Sequence, residues 1–150
     1  MAKLEIVGGR FLFNVEADVG KASPNRLNDV ELVRFGYFCV KVSSTLRSRT
    51  SPRIKAALDV MRSNGPFAPD LQEVIDAHQN DRGGTRDGKV SVGKPQLTHS
   101  FNYDSEHSWI IFSLCMSMIE RLPDTYPRID MDDFSGMEIS KNVRELFRIE

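Results

Sequence analysis

Three histidines, two cysteines and a run of aspartates are the residues of this chain best suited to do chemistry. His99 and His107 with Cys115 suggest a base and a thiol nucleophile. His107 and Cys115 lie eight residues apart on one predicted helix, about 12 Å along its axis, too far for proton transfer. His78 falls on the apolar face of a predicted helix, where a core histidine is expected and not a ligand. Asp130, Asp132 and Asp133 could offer carboxylate oxygens to calcium. Counted from Asp130, however, the fifth position is Phe134, the sixth Ser135 and the twelfth Lys141, so the EF-hand pattern fails. Cys39 and Cys115 sit inside apolar helical patterns without zinc-ligand spacing and are expected as buried thiols. No metal and no cofactor is expected. Glu16, Glu31, Glu73 and Glu106 are surface carboxylates of which no two are singled out as a glycosidase pair. Arg47, Arg49, Arg53 and Lys55 form a basic cluster without interleaved aromatics, which reads as a solvated face.

The elements that must position these residues follow from composition and periodicity. A chain of 150 residues, 40% hydrophobic, fits a single domain with a real core. Its 20 basic and 21 acidic residues give a formal net charge of −1, so no global field draws it to nucleic acid or anionic lipid. The longest apolar run, residues 109–118, is far short of a membrane span, and no membrane insertion is expected. The first residues carry Lys3 and a short apolar run broken by Glu5, unlike a secretory signal, which implies a cytoplasmic chain as synthesised.

Phe11, Phe13, Val15, Ala17 and Val19 alternate, so residues 4–19 are predicted to form a strand or small hairpin. Asn28 is placed to cap a helix over about 29–44, with Val30, Val33, Tyr37 and Val40 on one stripe. Ser51-Pro52 opens a second helix and Asn64-Gly65 is its expected stop. Pro69 opens a third, with Leu71, Val74, Ile75 and His78 on one face, ended by Gly83-Gly84. Ser105 is expected to cap a helix over about 105–121, and Val143, Leu146 and Phe147 align on a short last helix.

The order of turns and helices over residues 64–98 carries a resemblance. The stretch "NGPFAPDLQEVIDAHQ", residues 64–79, is similar to the peptidoglycan-binding-like domain family, whose hallmark is Asp-Gly-x-Phe-Gly-Pro-x-Thr followed by a helix with Ala-Val that ends in Phe-Gln. Gly65, Phe67, Pro69 and Gln79 match in register. Asn64, Ala68, Leu71, Val74, Ile75 and His78 stand at the family's Asp, Gly, Thr, Ala, Val and Phe positions. A Gly-containing loop, Gly83-Gly84, then leads to a second Asp-Gly turn, Asp87-Gly88, with Val90, Gly93 and Thr98 following. Upstream, "NDVELVRF", residues 28–35, resembles the family's first helix, Val33-Arg34 standing where it has Leu-Gln.

The resemblance covers roughly residues 25–98 and implies a mostly α fold. A small three-helix peptidoglycan-binding-like nucleus would carry an N-terminal β element (1–22) and a C-terminal helical extension (99–150). Gly65, Phe67, Pro69, Asp87 and Gly88 would be structural turn residues, with Phe67 plugging the small core. The implied function is a non-catalytic module that binds cell-wall glycopeptide in a bacterial or phage protein. Gln79, Arg82 and Arg86 are then the ligand-binding candidates, as amide and cationic partners for a stem peptide. Delivery to the periplasm would need a route independent of a signal peptide. The alternative is a protein–protein interaction module of a phage or secretion-type assembly that keeps the fold without wall binding. A cell-wall hydrolase with a site among Tyr103, Asp104, Glu106 and His107 is the third reading, and no nucleophile, base and orienting group can be named for it.

Overall fold

A computed structural model of the protein describes residues 3–7, 10–94, 109–124, 126–129 and 139–147. The fold is mostly helical. Its element order is β1 (Lys3–Val7), β2 (Arg10–Asn14), β3 (Val19–Gly20), α1 (Leu27–Val42), α2 (Ser44–Ser48), α3 (Pro52–Val60), α4 (Pro69–Arg82), β4 (Lys89–Val90), α5 (Ile110–Arg121) and α6 (Lys141–Leu146). Its apolar sequence on nearly every side makes α1 the central piece, and every residue over 29–40 is buried. Helices α3, α5 and α6 pack around it.

The close approach of α1 and α5 depends on Gly36. A Cβ there would lie 2.8 Å from the Leu114 Cβ. Ser117 uses the same contact, its hydroxyl donating to the Gly36 carbonyl at 2.7 Å. On another side of α1, Phe147 after α6 stacks on Phe13 with ring centroids 4.3 Å apart and meets the edge of Phe35 at 5.1 Å. Asn142 adds a hydrogen bond to the Glu31 carboxylate, so the short last helix docks on the core as its aligned apolar residues suggest.

The period-two segment at the N-terminus divides in two. β1 and β2 form an antiparallel hairpin with Leu4 opposite Phe13. β3 pairs instead with β4, Val19 opposite Val90. Side chains continue that seam: Asn14 exchanges two hydrogen bonds with the Gly93 backbone, and Asp18 accepts from the Val92 N–H. The chain start is thereby tied to the segment that follows α4.

Two helix boundaries differ from the sequence expectation. Helix α1 opens at Leu27 behind an extended Arg26 and does not use Asn28 as a cap. Asp29 turns back to accept from the Glu16 and Ala17 N–H groups at 3.0 and 3.2 Å, anchoring the strand region to the helix. Helix α3 begins as expected, with Ser51 accepting from the Ile54 N–H behind Pro52, but ends at Val60, before Asn64-Gly65. The cause is a knot around Arg34. This side chain is fully buried and spends its donors on the Arg62, Gly65 and Pro66 carbonyls and, in a two-pronged pair at 2.9 and 3.0 Å, on Asp70. Asp70 also accepts from the Arg62 N–H. The chain is already extended at Met61, and both backbone groups of Arg62 are taken by these partners, so the helix does not continue through it.

Phe67 is half-buried and packs against the edge of the core; it does not plug its centre. That place is filled by Phe13, Phe35, Tyr37 and Phe112, which come from the hairpin, α1 and α5. Helix α5 opens at Ile110 behind an extended Trp109. Ser105, the cap assigned to this helix, lies outside the described residues, as do His99, Tyr103, Asp104, Glu106, His107 and the Asp130–Asp132–Asp133 run. Among the described residues no helix is long and apolar enough to cross a membrane.

Candidate ligand-binding site

The Asp87-Gly88 turn is held against α4 from three sides. Gln79, at the end of α4 and buried, accepts from the Gly88 N–H at 2.8 Å. Its amide nitrogen donates to the Asp87 carboxylate at 3.0 Å and to the Lys89 carbonyl at 3.1 Å. One side-chain amide thus does the work of a strand neighbour for three consecutive residues. Gln72, two turns earlier on α4, donates to the Gly88 carbonyl at 2.8 Å, and the Lys21 N–H donates to it at 3.0 Å.

Gly88 has a φ of +75°, a conformation L side chains rarely adopt. Gly20, opposite Lys89 in the strand pair, has a φ of +131°, and a Cβ there would fall 2.4 Å from the Gly88 carbonyl oxygen. The turn therefore needs glycine on both sides of the seam. Asn25 supports the second of them, accepting from the Gly20 N–H and donating to its carbonyl.

Outside this clasp is a cavity of about 240 Å³ lined by Lys21, Gln72, Asp76, Arg86, Asp87 and Gly88. Two cations and two carboxylates surround one amide and the turn backbone. Gln72 bonds Asp76 at 3.0 Å and Gly88 at once, so the floor of the cavity is rigid. The arrangement suits a polar ligand that carries both signs of charge, such as a peptide with a free amine and a free carboxylate.

The three residues expected to bind ligand do not share one site. Arg86 lines the turn cavity. Gln79 is beneath it, its amide oxygen and both amide hydrogens engaged by the turn. Arg82 faces a different cavity, of about 270 Å³, bounded by α2, α3 and α4. Helical geometry explains the division: Gln72, Asp76 and Gln79 recur at i, i+4 and i+7, whereas His78, Asp81 and Arg82 occupy another face of α4. Gly65, with a φ of +105°, and Phe67 belong to the turn before α4, around the Arg34 knot, and Pro69 opens that helix.

His78 is buried, and its Nδ1 is 2.8 Å from the Tyr37 hydroxyl. Its ring stands edge-on to that of Tyr37 at 5.4 Å. Burial pushes the Cys115 thiol up to about 12 and that of Cys39 higher still, which leaves neither as a thiolate at neutral pH. Among the described residues no group of three or more His, Cys, Asp or Glu side chains is placed to hold a metal.

No protein-family model, curated protein or solved structure matches the chain. Sequence reasoning missed Lys21, Gln72 and Asp76. Gln72 and Asp76 stand four apart on α4 in phase with Gln79, and that spacing was the available signal; Lys21 reaches the site only through the β3–β4 pairing.

Proposed function

We propose that the chain is a non-catalytic peptidoglycan-binding-like module whose ligand is the glycopeptide of the bacterial cell wall. The observation that carries this reading is the mixed-charge cavity on the Asp87-Gly88 turn. Lys21 and Arg86 would take the carboxylates of a stem peptide, Asp76 and Asp87 its free amine, and the Gln72 amide its backbone. Of the parts on which the family resemblance rests, the Asp87-Gly88 turn builds this cavity and Gln79, the terminal glutamine of α4, supports it from beneath. Its floor, Gln72 bonded to Asp76 and to the Gly88 carbonyl, is in place before any ligand arrives, which lowers the ordering cost of that part of the site.

The test is co-sedimentation of the whole chain with purified wall sacculi at low and high salt. Retention should persist at high salt, where weak charge-driven adsorption is screened. Arg86→Ala and Asp76→Asn should each reduce it without changing the melting temperature. Retention that vanishes with salt, or that ignores both substitutions, would refute the reading and turn the search to a protein partner for the same fold.

A further inference from the structure

The second cavity, between α2, α3 and α4, has a different chemical character from the one on the turn. Leu46 and Ile54 give it an apolar wall, and both are buried. Arg49 and Arg82 bring two cations and Asp81 one carboxylate, so the lining carries a net charge of +1. Asp81 is steadied at the start of α3, where its carboxylate accepts from the Ser51 N–H at 3.4 Å. The buried His78 closes the inner end, its ring fixed by Tyr37.

These features restrict the ligand. A lining of net charge +1 matches a monoanion. The carbonyl end of α4, which stops at Arg82, adds partial negative charge nearby and disfavours a dianion such as phosphate. Two arginines in one lining favour a carboxylate, with which a guanidinium can form two parallel hydrogen bonds. The apolar wall asks for an aliphatic group beside that carboxylate. Asp81 can accept from an amide N–H. At about 270 Å³ the cavity is just below the usual range for small-molecule pockets, which suits one or two amino-acid residues.

We infer that the cavity lined by Arg49, Arg82, Asp81, Leu46 and Ile54 is a second binding site, for the C-terminal residue of a peptide. The carboxylate meets the two arginines, the amide N–H meets Asp81, and the side chain rests on Leu46 and Ile54. The assignment goes beyond the wall-binding reading and does not depend on it, because it uses another face of α4 and none of the residues around Gly88.

The test is a calorimetric or NMR titration of the whole chain with N-acetylalanine, N-acetylalanine amide, propionate and inorganic phosphate. N-acetylalanine should bind, with its amide and propionate each weaker by about tenfold or more and phosphate weaker than all three. Arg49→Gln, at an exposed position, and Arg82→Gln should each weaken N-acetylalanine by at least about tenfold. Arg53→Gln, a surface arginine outside the cavity, should leave it unchanged. Melting curves identify any variant that fails to fold, and Arg49→Gln alone then decides. Equal affinity for the acid and its amide would overturn the carboxylate assignment. Propionate as tight as N-acetylalanine would assign the cavity to free carboxylic acids, and phosphate as tight would make it a general anion site; either overturns the proposal, as does the absence of binding. Failure of sacculus binding with success here would refute only the wall-binding reading.

Discussion

Replacing Asp70 by Asn tests the Arg34 knot that ends α3 and sets the turn before α4. Arg34 has no exposed side-chain surface and Asp70 only 18%. Removing the negative charge leaves a buried guanidinium without its counterion, which costs about 3–5 kcal/mol when one partner of a buried pair is deleted. Because Asn keeps an acceptor for Arg34, the lower end, about 3 kcal/mol, is expected at neutral pH. The pH dependence is more diagnostic. Partial burial pushes the Asp70 carboxyl up, but hydrogen bonds from Arg34 and the Arg62 N–H, with the charge of Arg34, outweigh it and bring it down from 3.8 to about 2. A group depressed on folding stabilises the native state fully above its unfolded value, and that stability is lost as pH falls through the folded value. The contribution is about 2 kcal/mol, present above pH 4 and gone below pH 2. Urea unfolding followed by far-UV circular dichroism at pH 7, 5, 3 and 2 should show the two proteins about 3 kcal/mol apart down to pH 5. The gap should then narrow by about 2 kcal/mol toward pH 2. Other carboxylates titrate in both proteins and cancel in the comparison. Parallel curves over the whole range would show that Arg34 does not hold Asp70 ionised, and would refute the knot.

Three further outcomes follow from the packing. Gln79→Leu leaves the buried Gly88 N–H without an acceptor and should cost about 2–3 kcal/mol in denaturant melts, with loss of the turn cavity. Gly36→Val forces α1 and α5 apart at a contact with room for no Cβ, and should cost about 2–3 kcal/mol by the same assay. Both cysteines are free and buried, so an aromatic disulfide reagent should leave the native protein untouched and titrate two thiols in denaturant. Fast labelling of the native state would contradict the raised thiol pKa values.

Much of the helical frame was legible because its signals are local. Ser51-Pro52 and Pro69 mark true helix starts, and the apolar stripe of residues 30–40 identifies the buried centre. What sequence could not supply was the pairing of distant groups. Asn28 is a good cap by type, yet Asp29 is tied to Glu16 and Ala17 and the helix starts two residues earlier, at Leu27. Asn64-Gly65 reads as a helix stop, yet Asp70 and Arg34 draw Arg62 out of α3 before that point is reached. The candidate site shows the same division. Asp87-Gly88 and Gln79 were readable from their types and order. Their clasp depends on Gly20 and Lys21, some 60 residues or more away in sequence, brought in by a two-residue strand pairing that leaves little periodicity to detect. Arg82 and Arg86 are close in sequence yet open onto separate cavities, because a helix end and a glycine loop intervene.

The most direct test of the account is a titration of the isotope-labelled chain with soluble muropeptides, followed by amide NMR. Saturable shifts at Lys21, Gln72, Asp76 and Arg86 to Gly88, lost in Arg86→Ala, are the predicted result. No shift at these amides up to millimolar ligand, in a chain that remains folded, would contradict the assignment of the Asp87-Gly88 cavity to wall glycopeptide.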